Sequence, residues 1–345
     1  MSVLRQLYRG ENDFDIVGKF KIGVSLSALL VLISIASLFG RGLNLGIDFE
    51  GGSAFTITGD AGISVADTRD ALRPIGLESS KIQVLGGDTL RVQVKDVPDA
   101  EREAEIRQTL ADHVGTDVTE VSLTSVGPSW GDEITSKAQR ALVFFLILVM
   151  IYIALRFEPR MAAAAFVAMV HDVIVSVGFY SVFQIEVTPA TVIAFLTILG
   201  YSLYDTIVVF DRVNENALLL AASGRATYSD MVNLSMNEVM MRSINTSITS
   251  LLPVTSMLVV GSFVLGAATL EEFAIALMVG LVAGTYSSIF TAAPVLVALK
   301  QRQPRHAERA SRTTRSTDDD EIVATVRRDD VTATIKARPR RKRRR

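Results

Sequence analysis

No cysteine occurs anywhere in the 345 residues. That excludes a disulfide framework and any thiolate metal site, and it leaves the redox compartment of the loops unreadable. Histidine is nearly as scarce. His113, His171 and His306 are too scattered along the chain to suggest a ligand cluster, so no metal is expected. The sequence has no phosphate-cradling loop of the Walker type, no nucleophile elbow and no zinc-helix motif. No cofactor and no enzymatic chemistry are therefore expected.

Apolar residues, by contrast, make up 49% of the chain and fall into long runs. Residues 22–39 carry no charge, and a helix of that length rises roughly 27 Å, close to the thickness of a hydrocarbon core. The segment before this run is long and carries both signs of charge, and no small-x-small site follows before Arg41. An uncleaved anchor is therefore expected rather than a signal peptide. Five further runs lie near residues 138–155, 161–183, 189–210, 243–265 and 273–299, which makes six spans. Arg5, Arg9, Lys19 and Lys21 precede the first run, Arg156 and Arg160 separate the second from the third, and Arg212 and Arg225 separate the fourth from the fifth. The turns at 184–188 and 266–272 contain acids and no Lys or Arg, so both termini are expected on the cytoplasmic side.

Between residues 40 and 137 the chain leaves the apolar pattern and carries nine Lys/Arg against seventeen Asp/Glu. Strand patterns are expected at 53–58, 81–85, 89–95 and 118–125, and helices at 65–72 and 100–113. The order β-α-β-β-α-β is that of a split βαβ, ferredoxin-like unit. The expected architecture is thus an α-helical polytopic membrane protein with six transmembrane helices and an α+β, ferredoxin-like extracytoplasmic domain between the first and second. Its parts are a cytoplasmic segment 1–21, the first helix 22–39, the domain 40–137, helices two to six within 138–299, and a tail 300–345. The tail holds sixteen Lys/Arg against seven Asp/Glu. A disordered cytoplasmic extension attracted to anionic lipid fits that composition, and ribosomal RNA is a less specific alternative.

Ionisable residues inside apolar helices cost about 2.5–3.5 kcal/mol each on insertion scales, so each wants a reason. Asp205 lies in the fourth run with Tyr201 and Ser202 one turn before it and Thr206 beside it. Arg242 opens the fifth run, with Thr246 and Thr249 on its helical face and Asn245 next to them. If the two helices are neighbours, Arg242 can tune the proton affinity of Asp205, forming a proton switch. An anchoring Arg at a helix start and an acid that only fixes packing are the plain alternatives. Asp211 and Arg212 fit an interfacial, structural pair. His171 and Asp172, near the middle of the third run, are secondary candidates for the same relay or for a structural hydrogen bond. Ala276, Gly280, Gly284 and Ser288 recur every four residues, a small-residue ridge suited to close helix packing. Gly261 and Gly266 suit a turn or a hinge.

Several short motifs then occur in a specific order: GIDFEGG at 46–52, VGP at 126–128, GYS at 200–202, DTIVVFDR at 205–212, NTS at 245–247, LLP at 251–253 and GTYSS at 284–288. Together they make residues 16–299 resemble the SecD/SecF family of protein-export membrane proteins. The resemblance implies a six-helix half of the resistance-nodulation-division architecture, completed by SecD, in the bacterial cell membrane. It also implies work beside the SecYEG channel, SecA and a YajC-like accessory, using the proton motive force to draw unfolded exported polypeptide outward at a late stage. Asp205 and Arg242 match the family's proton-path residues. Asn214 and Ser250 depart from the common pattern without touching those two positions, and the basic tail lies outside the match. Two competing readings remain. A small-molecule exporter of the same superfamily would carry two large loops in one chain, and this chain has one. A structural assembly factor, stabilising the channel complex without moving protons, is consistent with every residue named.

Overall fold

The computed structural model describes residues 14–59, 63–85, 88–95, 97–221, 228–264 and 267–301. Residues 302–345 of the basic tail, Gly266, Arg225 and residues 1–13, including Arg5 and Arg9, lie outside them.

Among the described residues six helices are long and apolar enough to cross a membrane. They are α1 (Phe20–Gly40), α5 (Pro128–Arg156), α6 (Pro159–Phe183), α7 (Pro189–Ala221), α8 (Tyr228–Leu258), and a last span made of α9 (Ala268–Ser287) and α10 (Ala293–Gln301). The last two are joined by a π turn, Ser288–Ala292. Three of the starts are fixed by a proline in the first turn, where its missing N–H is not needed. Two starts differ from the hydropathy runs. Helix α5 begins ten residues before Ala138 because its opening turns are polar and carry no apolar signal. Helix α8 begins fifteen residues before Ser243, since residues 228–241 mix polar and apolar side chains at helical spacing and bury Met231, Val232, Ser235, Met236 and Val239. Arg242 therefore sits inside a helix and does not open one.

The spans are not equivalent. In their most apolar windows α6, α7 and the last span are each 44% buried, against 17% for α1 and α8 and 11% for α5. The first three form the centre. The others present Ile22, Leu32, Phe39, Phe144 and Leu155 outward, a surface that only a bilayer hides at no cost. The N-terminal end of α1 is tied down by two side chains of α8. Asn237 accepts from the Phe14 amide at 3.0 Å and donates to its carbonyl at 2.8 Å, and Asn233 Oδ1 accepts from the Ile16 and Val17 amides.

Between α1 and α5 come β1 (Asn44–Leu45), the short α2 (Ile47–Glu50), β2 (Gly52–Thr58), α3 (Val65–Leu72), β3 (Lys81–Leu85), β4 (Thr89–Val94), α4 (Ala100–Val114) and β5 (Ser122–Val126). Strands β2 to β5 form one antiparallel sheet in the order β3-β4-β2-β5, with Phe55 opposite Val92 on one side and Leu123 on the other. The last strand starts four residues later than its β-propensity suggests. Asp117 accepts from the Thr119 amide and starts a 3-10 turn, Val118–Glu120, in its place. Phe55, Leu72, Leu90, Val92, Ile106 and Leu110 are wholly buried between the sheet and its two helices. Each such side chain contributes about 1.5–3 kcal/mol on leaving water.

This sheet is fastened to the ends of the spans. β1 runs parallel to β6 (Glu186–Val187), which lies between α6 and α7. Gln184, in a left-handed conformation (φ 53°) at the end of α6, donates to the Ser181 and Gly42 carbonyls. Gly51 and Gly52 take φ of 76° and 121°, and a Cβ on Gly52 would stand 2.8 Å from the Val94 carbonyl oxygen. Only glycine fits that joint without strain.

Candidate functional site

The small-residue ridge of the last span lies along α7. A Cβ on Gly280 would come within 2.3 Å of Ile198, and one on Gly284 within 2.8 Å of the Ser202 Cβ. Ala276 is wholly buried in the same cluster as Ala194. One turn beyond Gly284, Ser288 reaches Asp205. The ridge thus brings two helices close enough for a serine hydroxyl to meet a carboxylate, at a position where backbone contact replaces side-chain bulk.

Asp205 is 8% exposed, and its Oδ2 accepts from Ser288 Oγ at 2.5 Å and from Ser243 Oγ of α8 at 2.8 Å. Among the described residues no Lys or Arg is bonded to it. Asp172 of α6 is 1% exposed and is held in the same way. Ser202 of α7 and Ser287 of α9 both donate to its Oδ2, and His171 Nδ1 stands 3.1 Å from its Oδ1. Ser287 and Ser288 are consecutive, so one step of the last span serves both acids. That step is where the α-helix widens into a π turn, a local irregularity that recurs at functional sites. His171 Nε2 is buried without a hydrogen-bond partner. A cavity of about 370 Å³, walled by Leu45, Phe49, Ala138, Val177 and Phe195, also reaches Asp172.

The geometry rearranges the residues singled out in the sequence. Arg242 is exposed, and its Nη2 bonds the hydroxyl of Tyr204 at 3.4 Å. Its chain neighbour Ser243 is the residue on Asp205, because consecutive residues of a helix point about 100° apart. Asn245 and Thr249 share the exposed face with Arg242, Thr246 is half-buried beside them, and both threonine hydroxyls cap carbonyls of their own helix. Tyr201 turns to Ser250 at 2.9 Å, and Ser202 gives its proton to Asp172 and not to Asp205. Thr206 is buried and donates to the Ser202 carbonyl. Asp211 and Arg212 do not pair with each other. Asp211 meets Arg156 at 3.2 Å, while Arg212 meets Glu238 and Glu215 at 2.7 Å. Gly261 packs on Leu270. Ser243 and Ser287 were not legible as ligands of the acids, since an isolated serine in a span gives no periodic signal.

The segment that carries residues 46–52 matches the SecD/SecF GG motif over residues 36–62, and residues 106–302 match the C-terminal domain of the protein-export membrane proteins SecD and SecF. The second match takes in both aspartates and all but the first span. This chain belongs to the SecD/SecF family. The protein translocase subunit SecF of Streptomyces coelicolor is 42% identical over 300 residues, which cover 87% of this chain and 80% of the relative. The SecF subunit of Mycobacterium tuberculosis H37Rv is 40% identical and is covered over 70% of its length. Among solved structures, SecDF of Thermus thermophilus, described as a translocon-associated membrane protein, superposes with a TM-score of 0.76 at 33% identity. That match covers 85% of this chain but only 39% of SecDF, so this chain corresponds to a part of that longer one. SecDF in a super-membrane-facing form gives 0.63 at the same identity.

Proposed function

We propose that this chain is the SecF-type subunit of the Sec protein translocase and that, with SecD, it uses the proton motive force to promote the late stage of translocation and the release of exported polypeptides. The observation that carries this reading is the state of Asp205. It is a buried carboxylate in the middle of a span, and its partners among the described residues are two serine hydroxyls from two other helices. A charge so placed is costly, and gaining or losing one proton changes what those hydroxyls can donate to. Protonation at Asp205 would weaken its bonds to Ser243 and Ser288 together, from charge-assisted to neutral, and so loosen α7 from both α8 and the last span. Asp172, with His171, Ser202 and Ser287, is a second station of the same kind. Arg242, with Tyr204, Asn245 and Thr249, forms a polar stripe on an otherwise apolar surface, the chemistry expected where a second membrane subunit packs. SecD is the partner proposed there, with SecYEG, SecA and a YajC-like accessory further out.

The remaining assignments belong to the same reading. The sheet and its two helices form a ferredoxin-like domain on the outer side of the bacterial cell membrane, supported by the strand order β3-β4-β2-β5 with both helices in crossover positions. Both termini are cytoplasmic, and the basic tail is drawn to anionic lipid. The protein works as a transport component and not as an enzyme.

One observation favours a second reading. Arg242 stands on the outer face and does not touch Asp205, as it would if both residues served only subunit packing, in an assembly factor that moves no protons. Asp205→Asn separates the two, because Asn is nearly isosteric and cannot ionise. In energised membrane vesicles at matched complex levels, release of a secreted protein is expected to lose its dependence on the proton gradient while assembly with SecD persists. Unchanged release with unchanged gradient dependence would transfer the lead to the assembly reading.

A further inference from the structure

The contacts that fasten the sheet to the ends of the spans take no part in the aspartate site. Arg91 Nη1 of β4 donates to Glu272 Oε1 of α9 at 3.2 Å, with both side chains largely buried. Two residues on, Gln93 Nε2 donates to Glu186 Oε1 of β6 at 2.6 Å. Residues 91 and 93 share one face of the strand, so a single face of β4 makes both contacts. Lys81 Nζ of β3 donates to the Leu45 carbonyl in β1 at 2.7 Å. Glu186 is 3% exposed, and its second oxygen, Oε2, is buried with no hydrogen-bond partner.

The group carries more acid than base. Asp48 of α2 lies close enough to Glu186 and Glu272 to repel them, and Arg91 is a cation that opposes the charge on Asp48 and Glu272. Lys81 is spent on a backbone carbonyl, and Glu50 points to solvent. Burial pushes the Asp48 carboxyl above its ordinary range, Arg91 pulls it back, and Glu186 pushes it further up. Beside these contacts opens a cleft of about 840 Å³, lined among others by Ile47, Glu50, Gly51, Lys81, Gln93 and Lys95. The positive-φ joint Gly51–Gly52 lies at its edge. Two directional contacts, a glycine joint and room to move on one side describe a hinge with a catch.

We propose that Arg91 and Gln93 on the sheet, with Glu272 and Glu186 on the helix ends, form a latch that passes helix movements to the sheet domain as it tilts about Gly51–Gly52. The inference rests on the proton-driven reading of Asp205 and names the positioning residues through which that site would act. Movement of α9 at Ser287–Ser288 carries Glu272 near its other end, and movement of α7 carries Glu186, three residues before its start. A proton on Asp48, which is not itself a latch residue, relieves its repulsion of Glu186 and Glu272 and holds the latch shut.

The test uses the absence of native cysteine. Glu50→Cys and Lys95→Cys, both exposed and both lining the cleft on either side of the Gly51–Gly52 joint, leave the latch residues intact. A short bis-methanethiosulfonate reagent bridges the two thiols, and a thiol reductant cuts the bridge. In vesicles holding the full chain with SecD and the channel, the bridge is expected to lower gradient-dependent release by about fivefold or more, the scale of an ordinary coupling between sites. Reductant should restore release in the same vesicles, which a mere folding defect would not allow. If bridging leaves release unchanged while Asp205→Asn abolishes its gradient dependence, the latch falls and the proton reading stands. If Asp205→Asn has no effect, the proton reading falls and the latch with it, whatever the bridge does.

Discussion

The sheet domain and the helix core solve opposite problems. The sheet has an apolar core of its own, where Phe55, Leu90 and Ile106 gain by leaving solvent and charged residues pair at little consequence on the surface. Among the helices lipid is as apolar as leucine, so burial offers no drive between spans, and contact depends on small residues and polar bonds. Gly280, Gly284 and the serines around Asp172 and Asp205 are the result. Bulk therefore sets stability in one region, and closeness sets it in the other.

The largest way to sharpen that contrast is Phe55→Ala, which leaves a cavity under the sheet. A loss of about 3–5 kcal/mol is expected in the sheet domain, seen as faster hydrogen exchange in β2 and β4 while the spans keep their protection. Gly284→Ala asks for the reverse. The added methyl meets Ser202 at 2.8 Å, and overpacking of this kind costs about 1–3 kcal/mol. Resistance of the helix bundle to denaturing detergent should fall with the sheet domain intact. A loss confined to the sheet would break the comparison. Smaller still is Ser288→Ala, which removes one hydroxyl from Asp205. Polar bonds between spans average about 0.6 kcal/mol, so assembly should survive while the pH profile of gradient-dependent release shifts.

The smallest effect expected is at the junction of the two regions. Asp48 has its pKa raised in the folded protein, so the folded state holds its proton to higher pH than the unfolded chain does. The junction is therefore firmest with Asp48 protonated, and it loses stability as pH climbs through the range above 3.8. Amide exchange across residues 44–50, corrected for its intrinsic rate, should rise over that window. Asp48→Asn should flatten the rise, and an unaltered profile in that variant would assign the dependence to another group.

The spans were legible in the sequence because runs of eighteen or more mostly apolar residues with one charge or none suit a membrane-crossing helix and little else. The sheet was legible because alternation and caps such as Asp99 and Ser64 mark its elements. Asp205 and Asp172 stood out as charges in apolar runs. Their ligands did not. Which hydroxyl meets which acid depends on the rotation of four helices, and a turn of about 100° moved the contact from Arg242 to Ser243. The polar opening of α8 hid its true start, and with it the depth of Arg242. Glu186 and Glu272 stood out only as acids in short turns, since their partners Arg91 and Gln93 arrive from a strand almost a hundred residues away or more.

The clasp of Phe14, Ile16 and Val17 by Asn233 and Asn237 has a consequence for the order of synthesis. More than two hundred residues separate the two halves of that clasp, so the first span enters the bilayer long before the residues that fasten its N-terminal end exist. Until α8 has left the ribosome, α1 is held chiefly through α6, where Gly178 admits Ser34 at backbone range. A ribosome stalled after α7 would carry a chain whose leading segment is open to protease, and one stalled after α8 would carry the same segment closed.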